Sequence, residues 1–284
     1  MDVVSPTVSP TASPTQALAD LIARGGVVVL SGAGLSTESG IPDYRGPSGA
    51  LRKHVPMTYQ AFTDDPAARH RYWARSYLGW RQMAGARPNA GHHGVAALQQ
   101  AGLISGIVTQ NVDGLHQAAG ATGVIELHGG LDRVICRNCD HVVDRAQLDR
   151  DLRAANPTFA AAGSRINPDG DAELSDDALA GFVMVDCESC GGGPLKPDVV
   201  FFGETVPRDR VEHCFDLVDR ADSLLVLGSS LKVMSGFRFV LRAAKRGIPV
   251  AIVNQGPTRG DGYCSVRVDA PLGAVLSTML QQLG

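Results

Sequence analysis

Four of the six cysteines fall in two pairs, Cys136-x-x-Cys139 and Cys187-x-x-Cys190. Two thiolates at this spacing reach one ion from a single tight turn, and two such turns complete a tetrahedral zinc site with no open position. Such a metal is structural. Two disulfides would use the same residues, but a cytosolic setting disfavours them, and zinc is the preferred reading. The stretch between the pairs is longer than ribbon spacing, so it holds an excursion, with a turn at Asn167-Pro168-Asp169-Gly170. Cys214 and Cys264 have no partner nearby in sequence and read as buried or ligand-adjacent thiols.

His128, between Leu127 and Gly129-Gly130, is a candidate proton-transfer residue because imidazole titrates closest to neutrality. A hydrogen-bonded structural histidine is the plainer alternative. His92, His93 and His116 are weaker candidates, and no Ser/His/Asp or Cys/His order can be defended from spacing. A third element is Gly32-Ala33-Gly34, which follows the apolar run Val27-Val28-Val29-Leu30. Glycines there let the backbone turn sharply and approach a phosphate. Ser36 and Thr37 stand where the Gly-x-Gly-x-x-Gly fingerprint needs its third glycine, and no acidic residue follows about twenty positions on for a ribose contact. A dinucleotide bound here is held in a manner other than a dehydrogenase's.

These residues need a scaffold that gathers them. Short apolar runs at 27–30, 104–108, 124–127, 199–202, 224–227 and 250–253 alternate with helical patterns at 16–24, 89–100, from about 113, 210–219, 236–246 and 272–283. The alternation predicts an α/β fold, a doubly wound parallel Rossmann-like sheet. Residues 43–88, with Tyr72, Trp73, Tyr77, Leu78 and Trp80 in a helix-like pattern, read as a helical insertion that could lie over a cofactor site. The expected organisation is a Pro/Ser/Thr-rich disordered tail over 1–15, a first part of the Rossmann-like domain over 16–131, a small zinc-ribbon domain over 132–193, and the second part over 194–284. Ligands bind outside the carboxyl ends of such strands. All six runs are followed there by glycine or polar residues, among them Gln110-Asn111-Val112-Asp113, Gly203-Glu204, Gly228-Ser229-Ser230 and Asn254-Gln255-Gly256.

Composition narrows the function. The chain of 284 residues is 44% hydrophobic and 19% charged, with a formal net charge of -3. That balance lacks the basic footprint of a general nucleic-acid binder, and Arg69, Arg71, Arg75, Arg81 and Arg87 read as a solvated helix face. No apolar run approaches the roughly 20 residues of a membrane span, and the N-terminus has neither the basic start nor the apolar core of a signal peptide. The expected protein is cytoplasmic and monomeric, with no nucleic-acid or membrane partner.

Taken together, Gly32-Ala33-Gly34-Leu35-Ser36, Gly40-Ile41-Pro42-Asp43-Tyr44-Arg45, Thr109-Gln110-Asn111-Val112-Asp113-Gly114-Leu115-His116, His128-Gly129, the two cysteine pairs, the segment from Lys196 to Glu204 and Gly228-Ser229-Ser230-Leu231 resemble the sirtuins, NAD-dependent protein lysine deacylases. The resemblance runs from about Gln16 to the end. Arg71-Tyr72-Trp73-Ala74-Arg75, residues 77–80 and Gly256-Pro257-Thr258-Arg259 are similar to class II, the branch containing the mitochondrial sirtuin four.

The resemblance implies NAD as co-substrate and zinc as a structural ion. Gly32, Ala33 and Gly34 would hold the pyrophosphate, flanked by Ser36 and Thr37. Gly228, Ser229 and Ser230 would support phosphate and ribose, and Asn254, Gln255, Gly256 and Cys264 the adenosine end. Ile41, Pro42, Asp43, Tyr44 and Arg45 would handle nicotinamide, and Gln110, Asn111 and Asp113 its ribose. His128 would be the general base, with Asn111 beside it. In the implied chemistry the acyl-lysine carbonyl oxygen attacks the ribose carbon as nicotinamide leaves. His128 then helps a ribose hydroxyl attack the imidate, giving lysine and O-acyl-ADP-ribose. Acylated-lysine proteins would lie in a slot of Val200, Phe201, Phe202, Gly203, Glu204 and Val233. Tyr72 and Arg75, one turn apart on a helix, are similar to a pair that binds acidic acyl groups. Mono-ADP-ribosyl transfer from the same site is the alternative, and a non-catalytic NAD-sensing or zinc-ribbon module is a third reading.

Overall fold

The computed structural model describes residues 13–44, 56–159, 179 and 181–283. Arg45, Asn167 to Gly170 and most of the expected tail lie outside them. Helix α1 (Pro14–Ala23) leads into β1 (Val27–Ser31). The helix begins inside the stretch expected to be a tail, because Ser13 caps it, accepting from the Gln16 amide at 3.2 Å, and Pro14 sits at its first turn. After the glycine turn come α2 (Tyr59–Asp64), α3 (Pro66–Gly85), α4 (Ala90–Gln100), β2 (Ile104–Thr109), α5 (Leu115–Ala118) and β3 (Val124–Glu126). A second unit then contributes β4 (Gly129–Cys136), β5 (Val142–Asp144), α6 (Arg145–Ala155) and β6 (Leu195–Val199). The chain ends with α7 (Arg208–Arg220), β7 (Ser223–Leu227), α8 (Met234–Arg246), β8 (Val250–Val253), β9 (Val266–Val268) and α9 (Leu272–Leu283).

Six strands form one parallel sheet in the order β3-β2-β1-β7-β8-β9, and three form an antiparallel sheet in the order β5-β4-β6. The chain winds outward from β1 in one direction and from β7 in the other, so the switch point lies between them, where an open α/β sheet binds ligands. All five residues of β1 and all five of β7 are buried, as expected of strands covered on both faces. One apolar layer gathers Leu18, Ile22, Val95, Leu98 and Leu276 on Val27 and Val29, and the other gathers Cys214, Val218, Phe239 and Val240 on Val28 and Leu30.

The strand expected at 199–202 is placed differently. β6 is Leu195–Val199 and belongs to the small sheet. Its Lys-Pro-Asp centre has no strand-like alternation to read, while the apolar Val200 and Phe201 that suggested a strand line a cleft instead. The small sheet therefore extends beyond 132–193 on both sides. The helical insertion also packs there: Phe62, Tyr72, Trp73 and Tyr77 share a core with Val134, Leu148, Leu152 and Leu195, and the Trp73 indole donates to the Leu195 carbonyl at 2.9 Å.

Candidate active site

A cleft of about 1120 Å³ opens at the carboxyl ends of β1, β2 and β7. Its floor is set by two turns in contact. The Gly32 amide donates to the Leu227 carbonyl at 2.9 Å and the Gly34 amide to the Gly228 carbonyl at 2.8 Å. Gly228 has φ +62°, and a Cβ there would lie 2.4 Å from the Leu35 nitrogen. Both the left-handed backbone and the close approach require glycine. The chain after Gly32 forms two short 3₁₀ turns, Ala33–Leu35 and Thr37–Ser39, which accounts for the missing third glycine: no long helix starts here.

On one side stands a polar network. Ser36 Oγ donates to Asp113 Oδ2 at 2.6 Å and accepts from Asn111 Nδ2 at 3.0 Å, whose other proton goes to the Gly32 carbonyl at 3.1 Å. Both amide protons of Asn111 are thus used, leaving its Oδ1 to accept from a ligand hydroxyl. Asp113 Oδ1 accepts from the Leu115 amide at 3.0 Å at the start of α5. Behind this layer lie two buried histidines with rings 5.3 Å apart. His92 takes the Asn89 amide on Nδ1, so its Nε2 carries the proton and faces Ser36 Oγ at 3.5 Å. His116 Nε2 lies 2.8 Å from Ser31 Oγ, whose own proton goes to Thr109 Oγ1, making the imidazole the donor. Burial pushes both imidazoles down to about 4, each lowered further by a neighbouring histidine.

His128 faces this network across the cleft. Its Nδ1 lies 3.0 Å from the Gln110 carbonyl, which can only accept, so Nδ1 carries the proton and Nε2 is bare. Nε2 meets Ser235 Oγ at 2.8 Å. Burial lowers the His128 pKa; the Gln110 carbonyl opposes the shift and the Arg210 and Arg238 charges add to it. A neutral imidazole whose unprotonated Nε2 stands at the cleft wall, where a ligand hydroxyl can replace that of Ser235, is what a general base requires.

Most of the residues singled out in the sequence meet here. Gly32, Ala33, Gly34, Ser36, Thr37, Ile41, Pro42, Asp43, Tyr44, Gln110, Asn111, Asp113, His128, Val200, Phe201, Phe202, Gly203, Glu204, Gly228, Ser229, Ser230, Val233, Asn254, Gln255 and Gly256 all line the cleft. Cys264 does not; its thiol turns to the Asp261 carbonyl at 3.2 Å. Nor do Tyr72 and Arg75: Tyr72 is 2% exposed and packs edge-on against Phe62, Trp73 and Phe201. The helix carrying them turns its aromatic face to the small sheet, and of the described residues in α2 and α3 only Met83 reaches the cleft. Ser235 and Arg238, which the sequence reading did not pick out, do line it. Their signal was the position of Ser235, right after the loop that closes the β7 turn.

The four thiols of Cys136, Cys139, Cys187 and Cys190 lie within 4.8 Å of one another, with sulfurs 3.6 Å apart for Cys136 and Cys190 and 3.8 Å for Cys139 and Cys187. A tetrahedron with Zn–S bonds of about 2.3 Å has edges of roughly 3.8 Å. Disulfides would need about 2.05 Å. The set fits one structural zinc ion.

The Sir2 family model matches residues 32–235. The chain belongs to the Sir2 family. It is 60% identical over 267 residues to "NAD-dependent protein deacetylase 1" of Streptomyces coelicolor, covering 94% of this chain and 89% of that protein. It is 49% identical over 271 residues to the Mycobacterium avium protein of the same name, covering 94% of each. Among solved structures, one described as "Sir2-p53 peptide-NAD+" superposes with a TM-score of 0.74 at 29% identity, covering 94% of this chain and 98% of that one. No helix among the described residues of this Sir2 protein is long and apolar enough to cross a membrane.

Proposed function

We propose that this protein is an NAD-dependent protein-lysine deacylase, with acetyl-lysine as the first substrate to test, transferring the acyl group to ADP-ribose and releasing nicotinamide. The observation that carries the reading is His128: its tautomer is fixed by the Gln110 carbonyl and its bare Nε2 lies in the same cleft as Asn111 Oδ1 and Asp113. The names of the relatives and the NAD and peptide of the similar solved structure support it.

Bound NAD would supply a ribose carbon open to attack once nicotinamide departs. This chain's residues do the rest. The backbone of Gly32, Ala33 and Gly34, with Ser229 and Ser230, would hold the pyrophosphate, and Asn254, Gln255 and Gly256 the adenosine end. Ile41 and Asp43 would hold the nicotinamide end. Asn111 and Asp113 would orient ribose hydroxyls, and His128 Nε2 would take a hydroxyl proton. A carbonyl oxygen is a poor nucleophile, so positioning carries much of the rate. The segment from Val200 to Glu204 and Val233 on the opposite loop would pair with an extended peptide by backbone hydrogen bonds. We also assign the chain to class II, from Arg71 to Arg75, residues 77–80 and residues 256–259, and expect a cytoplasmic monomer.

With NAD and a panel of acyl-lysine peptides read by mass spectrometry, the expected products are nicotinamide and O-acyl-ADP-ribose, and His128→Ala lowers turnover by at least a hundredfold. Absence of turnover over the panel would sink the reading. Covalent ADP-ribose on a partner protein, with peptides left acylated, would indicate mono-ADP-ribosyl transfer instead.

A further inference from the structure

Both nitrogens of the His128 ring are spoken for before any ligand arrives, and both partners are tied to one helix end. Nδ1–H donates to the Gln110 carbonyl at 3.0 Å, and Nε2 meets Ser235 Oγ at 2.8 Å. Ser235 stands in the first turn of α8, after Val233 at the N-cap, which offers no side-chain cap. Serine near a helix start commonly spends its hydroxyl on the helix's own orphan amides. Here, among the described residues, the hydrogen bond of Ser235 Oγ runs to His128 instead. The next residue, Gly236, packs on the other partner, since a Cβ there would lie 2.5 Å from Gln110 Oε1. Gln110 is in turn held by Ser229 Oγ at 2.9 Å.

We infer that Ser235 is a positioning residue for the base: before a ligand binds, its hydroxyl donates to the one Nε2 lone pair and holds the His128 ring facing the cleft, and it gives way there to the hydroxyl that His128 will deprotonate. The inference rests on the deacylase reading above. A hydroxyl is suited to both states of the ring. It donates to the bare Nε2 of neutral imidazole. On binding, the ribose hydroxyl takes that place and gives its proton to Nε2; once its oxygen has bonded to the imidate, the Ser235 oxygen accepts from the new N–H, while Nδ1–H stays on the Gln110 carbonyl. No proton is lost or created at Ser235, and the substrate hydroxyl is the sole source of the one that moves. Alanine can do neither. Threonine keeps the hydroxyl and adds one methyl at a half-buried position.

The test compares the full chain as wild type, Ser235→Ala and Ser235→Thr in two reactions, with NAD and an acetyl-lysine peptide. Exchange of labelled nicotinamide into NAD precedes the base-dependent step, whereas formation of free lysine requires it. In Ser235→Ala the expected result is exchange within about twofold of wild type and a kcat for deacetylation lower by roughly ten- to a hundredfold, the worth of a hydrogen bond to a charged group. KM values for NAD and peptide stay within about threefold, and Ser235→Thr recovers most of the loss. Unchanged deacetylation in Ser235→Ala, an equal fall in both reactions, or a threonine variant as slow as alanine each overturn the inference. A second readout needs neither NAD nor turnover. Imidazole nitrogen chemical shifts, assigned by difference with His128→Ala, should show Nδ1 protonated and Nε2 a hydrogen-bonded acceptor in wild type and Ser235→Thr. Ser235→Ala should move Nε2 towards the free-acceptor value. A wild type without turnover defeats the deacylase reading, and these shifts then decide the Ser235 contact alone: no change at Nε2 in Ser235→Ala refutes it.

Discussion

The parallel sheet and the three-stranded sheet each supply a wall of the same cleft, but they are held together differently. The first buries every residue of β1, β7 and β8 between two helix layers. The second has a strand, β5, whose burial pattern is largely open, with Val142 52% exposed. One face of that small sheet packs on Trp73, Tyr72 and Phe62, and its far end carries the four thiols. Small units commonly add a metal to a core of this size. The wall with the larger apolar core buries the uncharged imidazoles of His92 and His116, whereas the smaller unit buries the charged side chains of Arg145, Asp149 and Lys196 and adds a four-thiol set that fits a single ion.

Stripping the metal should divide the molecule along this line. Structural zinc sites contribute on the order of 10 kcal/mol or more of binding free energy that is also folding free energy. Chelation, or Cys136→Ser, is expected to unfold the small sheet and abolish acyl-peptide binding while amide-exchange protection persists in β1, β7 and β8. Metal analysis should give one zinc per chain. Intact β4–β6 protection in metal-free protein would break the comparison.

Acid should attack the other half. His92 and His116 are pushed down to about 4 from an ordinary value of 6.5. Between these values the unfolded chain binds protons that the folded chain refuses, so stability is complete above pH 6.5 and falls as pH drops towards 4. Each histidine accounts for up to roughly 3 kcal/mol over that window. Denaturant midpoints measured from pH 7 to pH 4 should decline, and His92→Gln should flatten the slope. A slope unchanged in that variant would show that its burial is not what makes the sheet acid-sensitive.

How much of this was legible in the sequence follows the same division. Val27 to Leu30, Leu224 to Leu227 and Val250 to Val253 are fully buried parallel strands, and a continuous apolar run is the signature such strands leave. The glycine turns, Asn111, Asp113 and His128 follow their ends, so topology alone brought them together. The small half left no such trace. β6 contains Lys196, Pro197 and Asp198, and β5 is only Val-Val-Asp. Tyr72 and Arg75 share a helix face, but a helical pattern does not say which layer that face meets. Here it met the small sheet. Ser235 was hidden for a different reason: its partner is His128, 107 positions away, and no local periodicity encodes that contact.

The contact of the two glycine turns can be probed with a matched pair. Gly228→Ala places a Cβ against the Leu35 backbone at φ +62°, whereas Gly40, at φ +83°, has nothing within 4 Å of the corresponding position. The left-handed backbone costs about 1–2 kcal/mol in either variant. Overpacking adds to that in the first, for a total of roughly 3 kcal/mol. Gly228→Ala should also weaken NAD binding, read by calorimetry, while Gly40→Ala leaves it nearer wild type. Equal losses would mean that the tight approach of β1 and β7 is not what shapes the phosphate floor.

The smallest expected effect lies at the joint between the halves. Lys196 leaves β6 pointing back along the peptide segment: its Nζ is 3.0 Å from Glu204 Oε2, donates to the Val199 carbonyl and lies 4.5 Å from the Phe201 ring centre. Glu204 accepts from the Phe201 amide at 2.8 Å. Burial lowers the Lys196 pKa while Glu204 opposes the shift, so the ammonium is there on account of its partner. Lys196→Met keeps the apolar stem against Phe201 and removes the charge that fixes residues 200–204. Glu204 keeps the Phe201 amide and some solvent contact, which limits the loss. Peptide KM is expected to rise about tenfold, or 1.4 kcal/mol, with nicotinamide release and NAD affinity little changed. A rise in the KM of NAD as large as that of peptide would show that the two walls are not independent, and that the small sheet shapes the phosphate end as well as the peptide slot.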